Sequence, residues 1–407
     1  MLALYFPIST HLLTRKKHLR KFESMQEMKE EKHMHMQRSE SMRLKEKKVK
    51  DLMVEKRRLV EVPYTASLAH TMHTLVANKV AAVPVAAPPG QWIGAGGSMI
   101  VESDKQTGAV RKHYIGMVTM LDIVAHIAGD DHLSCGDNVT EDLDQKLSDP
   151  VSSIIGHSFE GLSLWTLNPN TSLLDCMEVL SKGVHRAMVP VDGQELEENV
   201  SAGVELVESA SSYLMLTQMD VLRFLNDRAR ELQSILSRSV QDLGANTEQI
   251  YAITDRTKLV HAIKCLKAAM LNAVPIVKAS NVGEDDHKQH INGRCRKLIG
   301  TFSATDLRGC YLATLKSWLG ISALAFTEEV ASSPLYRESD MQNRGYRREL
   351  VTCYGESPLS EVIEKAVTKH VHRVWVVDQE GLLVGVVSLT DIIRVIRHYL
   401  LSDSDDL

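Results

Sequence analysis

Four short phrases in this chain set a hydroxyl three residues ahead of a carboxylate, just before an apolar run of helical period. They are Thr119-Met-Leu-Asp122, Thr217-Gln-Met-Asp220, Ser303-Ala-Thr-Asp306 and Ser388-Leu-Thr-Asp391. Two kinds of chemistry suit that spacing. In the first, the pair caps a helix: the hydroxyl accepts from an early backbone N–H and the carboxylate favours the positive helix end. In the second, a strand delivers the pair to a helix start, where free N–H groups attract anions. A carboxylate there can accept both hydroxyls of a ribose. The neighbouring hydroxyls, Thr305 and Thr390 included, can support the sugar or a phosphate. Capping needs no ligand, so each phrase alone leaves both readings open. Four copies in equivalent places add weight to the second, because paired repeats build clefts.

A second constellation is Val184-His185-Arg186, matched by Val371-His372-Arg373. Each pair stands just ahead of a β-like apolar run. The planar guanidinium fork makes two directed, charge-assisted bonds to a phosphate. Such bonds contribute about 1.5–3 kcal/mol each. Two or three would supply a large part of the roughly 8 kcal/mol that micromolar binding represents.

These groups recur because the chain repeats. The four Asp residues are 98, 86 and 85 positions apart, longer than most solenoid periods and suited to a tandem array of small domains. Ahead of each phrase lies an amphipathic helical stripe, such as Leu68, Met72, Leu75 and Val76 or Leu359, Val362, Ile363 and Val367. The stripe follows the i, i+3, i+4, i+7 period of a helix with one buried face. A short run apolar on both sides follows: Ala82-Val-Pro-Val85, Met188-Val-Pro-Val191, Val274-Pro-Ile-Val277 and Val374-Trp-Val-Val377. Such runs fit strands covered by helices. In the last repeat Asp378-Gln-Glu-Gly381 reads as a hairpin turn. The same connection is expanded near residues 86–113, 192–212 and 278–297. Each repeat thus reads helix, strand, strand, helix after a short leading strand.

Composition narrows the function. Of 407 residues, 44% are hydrophobic and only 5% aromatic, so aliphatic side chains fill the core. The six cysteines form no C-x-x-C pair, which argues against a zinc ribbon. In so long a chain they also argue against a disulfide framework, so a reducing compartment, cytosol or nucleus, is expected. Residues 15–58 hold 16 Lys/Arg against 8 Asp/Glu, and the remainder 31 against 44. An acidic body is unsuited to a nucleic-acid groove, and the basic head reads as a solvated extension. Met1–Thr14 places its charges after a weak apolar run, the reverse of a secretory signal. An organelle transit peptide, or a start at Met25 or Met34, is the alternative. No stretch reaches the ~20 apolar residues of a membrane span. Kinase, P-loop and H-E-x-x-H signatures are absent, so a regulatory or binding role is expected rather than catalysis.

The strand–turn–helix phrase, placed after a helix–strand unit four times over residues 49–400, resembles the CBS domain family. CBS domains pair into Bateman modules. Four in one chain are similar to the γ subunit of the AMP-activated and sucrose-non-fermenting kinases. The Pro/Gly-rich loop and Arg111-Lys-His-Tyr-Ile-Gly116 resemble the plant γ-like branch, with its pollen-associated members. The resemblance implies an α/β (α+β) fold of four tandem CBS domains, forming two Bateman modules, about 49–232 and 240–400, in a disc-like arrangement. The repeats would span 49–130, 145–232, 240–316 and 345–400. Residues 1–48 would form a basic extension, 317–344 a linker and 401–407 an acidic tail.

The resemblance further implies ribose at Asp122, Asp220, Asp306 and Asp391, assisted by Thr119, Thr217, Ser303, Thr305, Ser388 and Thr390. It implies phosphate at His185, Arg186, His372 and Arg373 around a central cavity. AMP, ADP or ATP would be the regulatory ligand, with no metal required. A kinase catalytic α subunit and a β subunit would be the partners. Repeat 1 has Ala81-Ala82 and repeat 3 has Asn272-Ala273 at the place of the His-Arg pairs, and Met219 stands where a basic residue is frequent. The phosphate shell is thinner as a result. Three functions fit: a γ-like kinase regulatory subunit, a ligand-free assembly scaffold of the same fold, and an adenosyl-ligand sensor for another enzyme or channel.

Overall fold

The structure is a computed structural model that describes residues 43–53, 56–57, 59–87, 92–93, 99–100, 114–129, 139–156, 164–191, 213–280, 286–310, 312–332 and 349–405. Repeat 1 comprises β1 (Val62–Pro63), α1 (Leu68–Ala77), β2 (Ala82–Ala86), β3 (Tyr114–Thr119) and α2 (Met120–Ala128). Helix α3 (Val139–Ser148) leads to repeat 2, with β4 (Trp165–Thr166), α4 (Leu173–Ser181), β5 (Arg186–Pro190), β6 (Tyr213–Thr217) and α5 (Gln218–Asn226). Repeat 3 has β7 (Tyr251–Thr254), α6 (Leu259–Ala268), β8 (Ala273–Val277), an added edge strand β9 (Ile291–Asn292) and β10 (Leu298–Ser303). It closes with a 3-10 turn at Ala304–Gly309, then α7 (Leu312–Leu319) and α8 (Ala323–Ser332). Repeat 4 has β11 (Thr352–Cys353), α9 (Leu359–Thr368), β12 (Arg373–Val377), β13 (Leu383–Ser388) and α10 (Leu389–Asp405).

In every repeat the leading strand runs parallel to the second, and the third runs antiparallel to the second. The apolar stripe of each first helix is buried, as with Leu68, Met72 and Leu75 in α1. Strand β8 is buried along its whole length, as a strand covered on both faces must be. The expansion at 192–212 lies outside the described residues, as does most of that at 86–113. Within the latter, Trp92–Ile93 pairs antiparallel with Met99–Ile100.

The turn from first helix to second strand repeats as well. Lys79, Gly183, Met270 and His370 hold equivalent places, with φ of 53°, 91°, 51° and 51°. Behind three of them Val80 N–H bonds Leu75 O, Leu271 N–H bonds Leu266 O and Val371 N–H bonds Ala366 O. This left-handed helix end satisfies orphan carbonyls and favours glycine. Only repeat 2 has one, so the turn is invisible to a search for glycine.

Two kinds of interface close the array. Sheets join neighbours in sequence: Ile250, Ala252, Val277, Leu298, Trp375, Val377 and Leu383 form one core between repeats 3 and 4. Between repeats 1 and 2, Tyr114 meets Tyr213 edge-on at 5.6 Å. Helices join across: repeats 1 and 3 share a second core, and repeats 2 and 4 a third. The four repeats therefore form a closed ring, as two sheet-joined modules set helix to helix.

Connecting segments lace each module together. Single β-bridges at the starts of the first helices link Ser67 with Pro150, Lys48 with Ser172, Lys258 with Ser322 and Ser239 with Pro358. The segment before repeat 1 thus serves repeat 2, and the one before repeat 3 serves repeat 4. Leu44, Val49, Leu52 and Met53 are buried in the core of repeats 2 and 4, so the described end of the basic head is structural. The 317–344 stretch, expected as a linker, carries α8, which buries Ala323, Phe326 and Val330 against repeats 1 and 3. Among the described residues, no helix is long and apolar enough to cross a membrane.

Candidate functional site

Strand register builds the site. It sets Arg186 opposite Thr217 and Arg373 opposite Ser388. In repeats 1 and 3 the same register sets Ala82 opposite Thr119 and Ala273 opposite Ser303. Each arginine of a His-Arg pair therefore stands beside the hydroxyl of its own repeat's strand–helix corner. The backbone reinforces the link. Gln218 N–H donates to His185 O and Leu389 N–H to His372 O, both at 3.1 Å, and Ala304 N–H donates to Asn272 O at 2.8 Å. Each bond satisfies an orphan donor at a helix start.

The four corners are capping boxes. Asp122 Oδ2 accepts from Thr119 N–H at 2.8 Å and Thr119 Oγ1 at 2.6 Å. Asp220 Oδ2 accepts from Thr217 at 2.8 and 2.7 Å, and Asp391 Oδ2 from Ser388 at 3.1 and 2.6 Å. In repeat 3 Asp306 accepts from Ser303 N–H at 2.8 Å. There Ser303 Oγ donates to Asn272 O at 3.3 Å and accepts from Thr305 Oγ1 at 3.0 Å. Asp391 gives its other oxygen to Arg394 at 2.8 Å, and Asp220 pairs with Lys56. Thr390 is engaged by Gln218 Nε2 at 2.9 Å, on the helix interface between repeats 2 and 4.

The two His-Arg pairs converge. His372 feels the charges of Arg186, Arg373 and Arg308 and the neighbouring imidazole of His185, and His185 feels Arg373. Asn272 Nδ2 lies 3.2 Å from His185 Nδ1, and Arg373 Nη1 donates to Ala273 O at 2.8 Å. Repeats 2, 3 and 4 meet at this point, and Asp122 of repeat 1 attracts Arg186.

Burial first, then Arg373, pushes His185 down to about 4. Burial first, then Arg186 and the other neighbours, pushes His372 down to about 3. His372 is densely surrounded yet keeps an exposed edge, so solvent screening reduces the energetic weight of its shift. Burial lowers Arg186 and Arg373 to about 10, with Arg308 adding to the effect on Arg186. Both stay cationic at neutral pH, and both imidazoles stay neutral. The result is a group of like charges that an anion would relieve.

A cleft opens between repeats 3 and 4. Ser303 and Thr305 line it from one repeat, His372 and Arg373 from the other, with Trp375 and Val351 supplying apolar wall. Trp375 Nε1 is held by Thr301 Oγ1 at 2.8 Å. Burial raises the thiols of Cys176, Cys310 and Cys353 to about 12.

Arg308 and Lys56 stand at the site without a signal in the sequence, and Asn272, noted there only as a departure from the His-Arg pairs, joins them. Asn272 occupies the position of His185 and His372, so alignment of the repeats locates it. Its role as a partner of His185 depends on another repeat. Nothing in the local spacing of Arg308 or Lys56 announces where either side chain ends.

The CBS domain family model matches residues 344–398, which run from before β11 into α10. The chain is 61% identical over 352 residues to SNF1-related protein kinase regulatory subunit gamma-like PV42a of Arabidopsis thaliana, covering 86% of this chain and 95% of that protein. It is 58% identical over 365 residues to the gamma-like PV42b of the same plant, covering 90% and 98%. Among solved structures, a putative archaeal homologue of the γ subunit of AMPK from Methanocaldococcus jannaschii superposes with a TM-score of 0.52 at 17% identity. That match covers 86% of this chain and 99% of the other, and it supports the four-repeat fold. The chain belongs to the family of plant SNF1-related protein kinase regulatory gamma-like subunits.

Proposed function

We propose that this chain is a non-catalytic regulatory subunit whose central cationic cluster holds the phosphates of AMP, ADP or ATP. Occupancy would change how the ring meets a kinase catalytic α chain and a β chain. The observation that carries this reading is the convergence of His185-Arg186 and His372-Arg373, distant in sequence, on one point where three repeats meet. A nucleotide can bias the assembly only through different affinities for its two states. The nucleoside end would lie in the neighbouring cleft, lined by Ser303, Thr305 and Arg373.

Calorimetric titration of the full chain with AMP, ADP and ATP tests this. Arg186→Ala and Arg373→Ala each remove charge-assisted bonds of about 1.5–3 kcal/mol, a roughly 10- to 150-fold loss of affinity. Unchanged affinity in the double variant would place the ligand elsewhere. The four capping boxes favour a second reading, a ligand-free scaffold. Absence of binding by wild type, with kinase and β chains still co-purifying, would select it.

A further inference from the structure

In the cleft between repeats 3 and 4, the corner of one repeat faces the leading segment of the other. The Ser303–Asp306 corner there meets residues 349–351 ahead of repeat 4. In the other module, the corner of repeat 2 meets the segment ahead of repeat 1, where Leu59 N–H donates to Tyr213 O at 3.4 Å. Here the outcome differs. Lys56 Nζ lies 2.5 Å from Asp220 Oδ2, with side-chain exposures of 23% and 9%.

We propose that Lys56 is a built-in occupant of the repeat-2 cleft: its ammonium takes the carboxylate that would receive ribose hydroxyls and holds that cleft closed to nucleosides. This rests on the reading that corner carboxylates receive ribose. The segment is pinned on both sides. Val49 and Leu52 are buried in the core of repeat 2, and Val62 in the sheet of repeat 1. A tethered group competes at an effective concentration of order millimolar, and it brings a charge-assisted bond. Asp391 is neutralised differently, by Arg394 one turn along its own helix. At Asp220 the cation comes from a separate segment, so movement of that segment would uncover the carboxylate.

The test counts AMP sites on the full chain by calorimetry. Lys56→Ala and Lys56→Gln, checked for unchanged melting, are expected to bind one more equivalent of AMP than wild type. Adding Asp220→Asn should weaken that extra site more than tenfold. If wild type binds AMP and neither Lys56 variant adds a site, the plug is overturned while the central cluster stands. If wild type binds none and the variants bind one, the plug stands and the central cluster falls. Absence of binding throughout overturns both.

Discussion

Asn272 donates its side-chain amide to Nδ1 of His185 across 3.2 Å, tying repeat 3 to the His-Arg pair of repeat 2. A neutral imidazole that accepts at Nδ1 keeps its proton on Nε2, so His185 presents a donor from its other edge. Asn272→Ala removes this orienting bond, of about 0.5–1.5 kcal/mol. AMP affinity at neutral pH is expected to fall by roughly 2- to 10-fold, read by calorimetry. An unaltered Kd would show that His185 needs no orientation.

The same histidine predicts a pH response. Its pKa in the folded chain, about 4, lies below the ordinary 6.5, so the unfolded chain binds more protons between those values. Stability therefore rises with pH from about 4 to about 6.5 and is flat above. At pH 5.5 the contribution lost at this site is about 1 kcal/mol. Urea denaturation at pH 7.5 and 5.5 should show a smaller difference for His185→Gln than for wild type. Equal differences would remove His185 from the titrating set. A bound phosphate should oppose the loss, because it favours the protonated ring.

Met270 holds a left-handed backbone, φ 51°, with its side chain 66% exposed. Met270→Gly relieves the strain and sacrifices little burial, so stability should rise by about 0.5–1 kcal/mol. Gly183→Ala, at the equivalent turn with φ 91°, should fall by about 1–2 kcal/mol. Thermal or urea melting of the two variants measures both signs. Changes of the same sign would mean that side-chain contacts, not backbone conformation, govern this turn.

Gly385 lies under the side chain of Asn246, and a methyl group built on it would fall inside contact distance of Asn246 Oδ1. Thr247 bridges Val386 in the same place, with Thr247 N–H bonding Val386 O at 2.9 Å. Gly385→Ala should cost about 1–3 kcal/mol through overpacking. Asn246→Ala in that background should restore part of it. Failure of the second change to help would mean that the strand itself, not the crossing segment, rejects the methyl.

Much of this molecule was readable along the chain. The Thr119-to-Asp122 spacing, repeated three more times, marks each strand–helix corner, because capping depends only on neighbours within one turn. Apolar period marks α1, α4, α6 and α9 for the same reason. The left-handed turns are not legible in the sequence, because Lys79, Met270 and His370 hold a conformation that their type does not advertise. Helix α8 lies in the stretch that reads as linker because Phe326 is buried in part by distant residues, Phe302 among them, and not only by nearby Trp318.

The carboxylates and the His-Arg pairs could be named from type and spacing, but not their environment. Whether Asp220 faces a ligand or Lys56, and whether His185 leans on Asn272, depends on side chains 164 and 87 positions away. Those partners are chosen by the closing of the ring, where burial and Coulomb forces act between repeats that have no contact along the chain. Periodicity writes the elements; the meeting of charges at the centre exists only once all four repeats have packed.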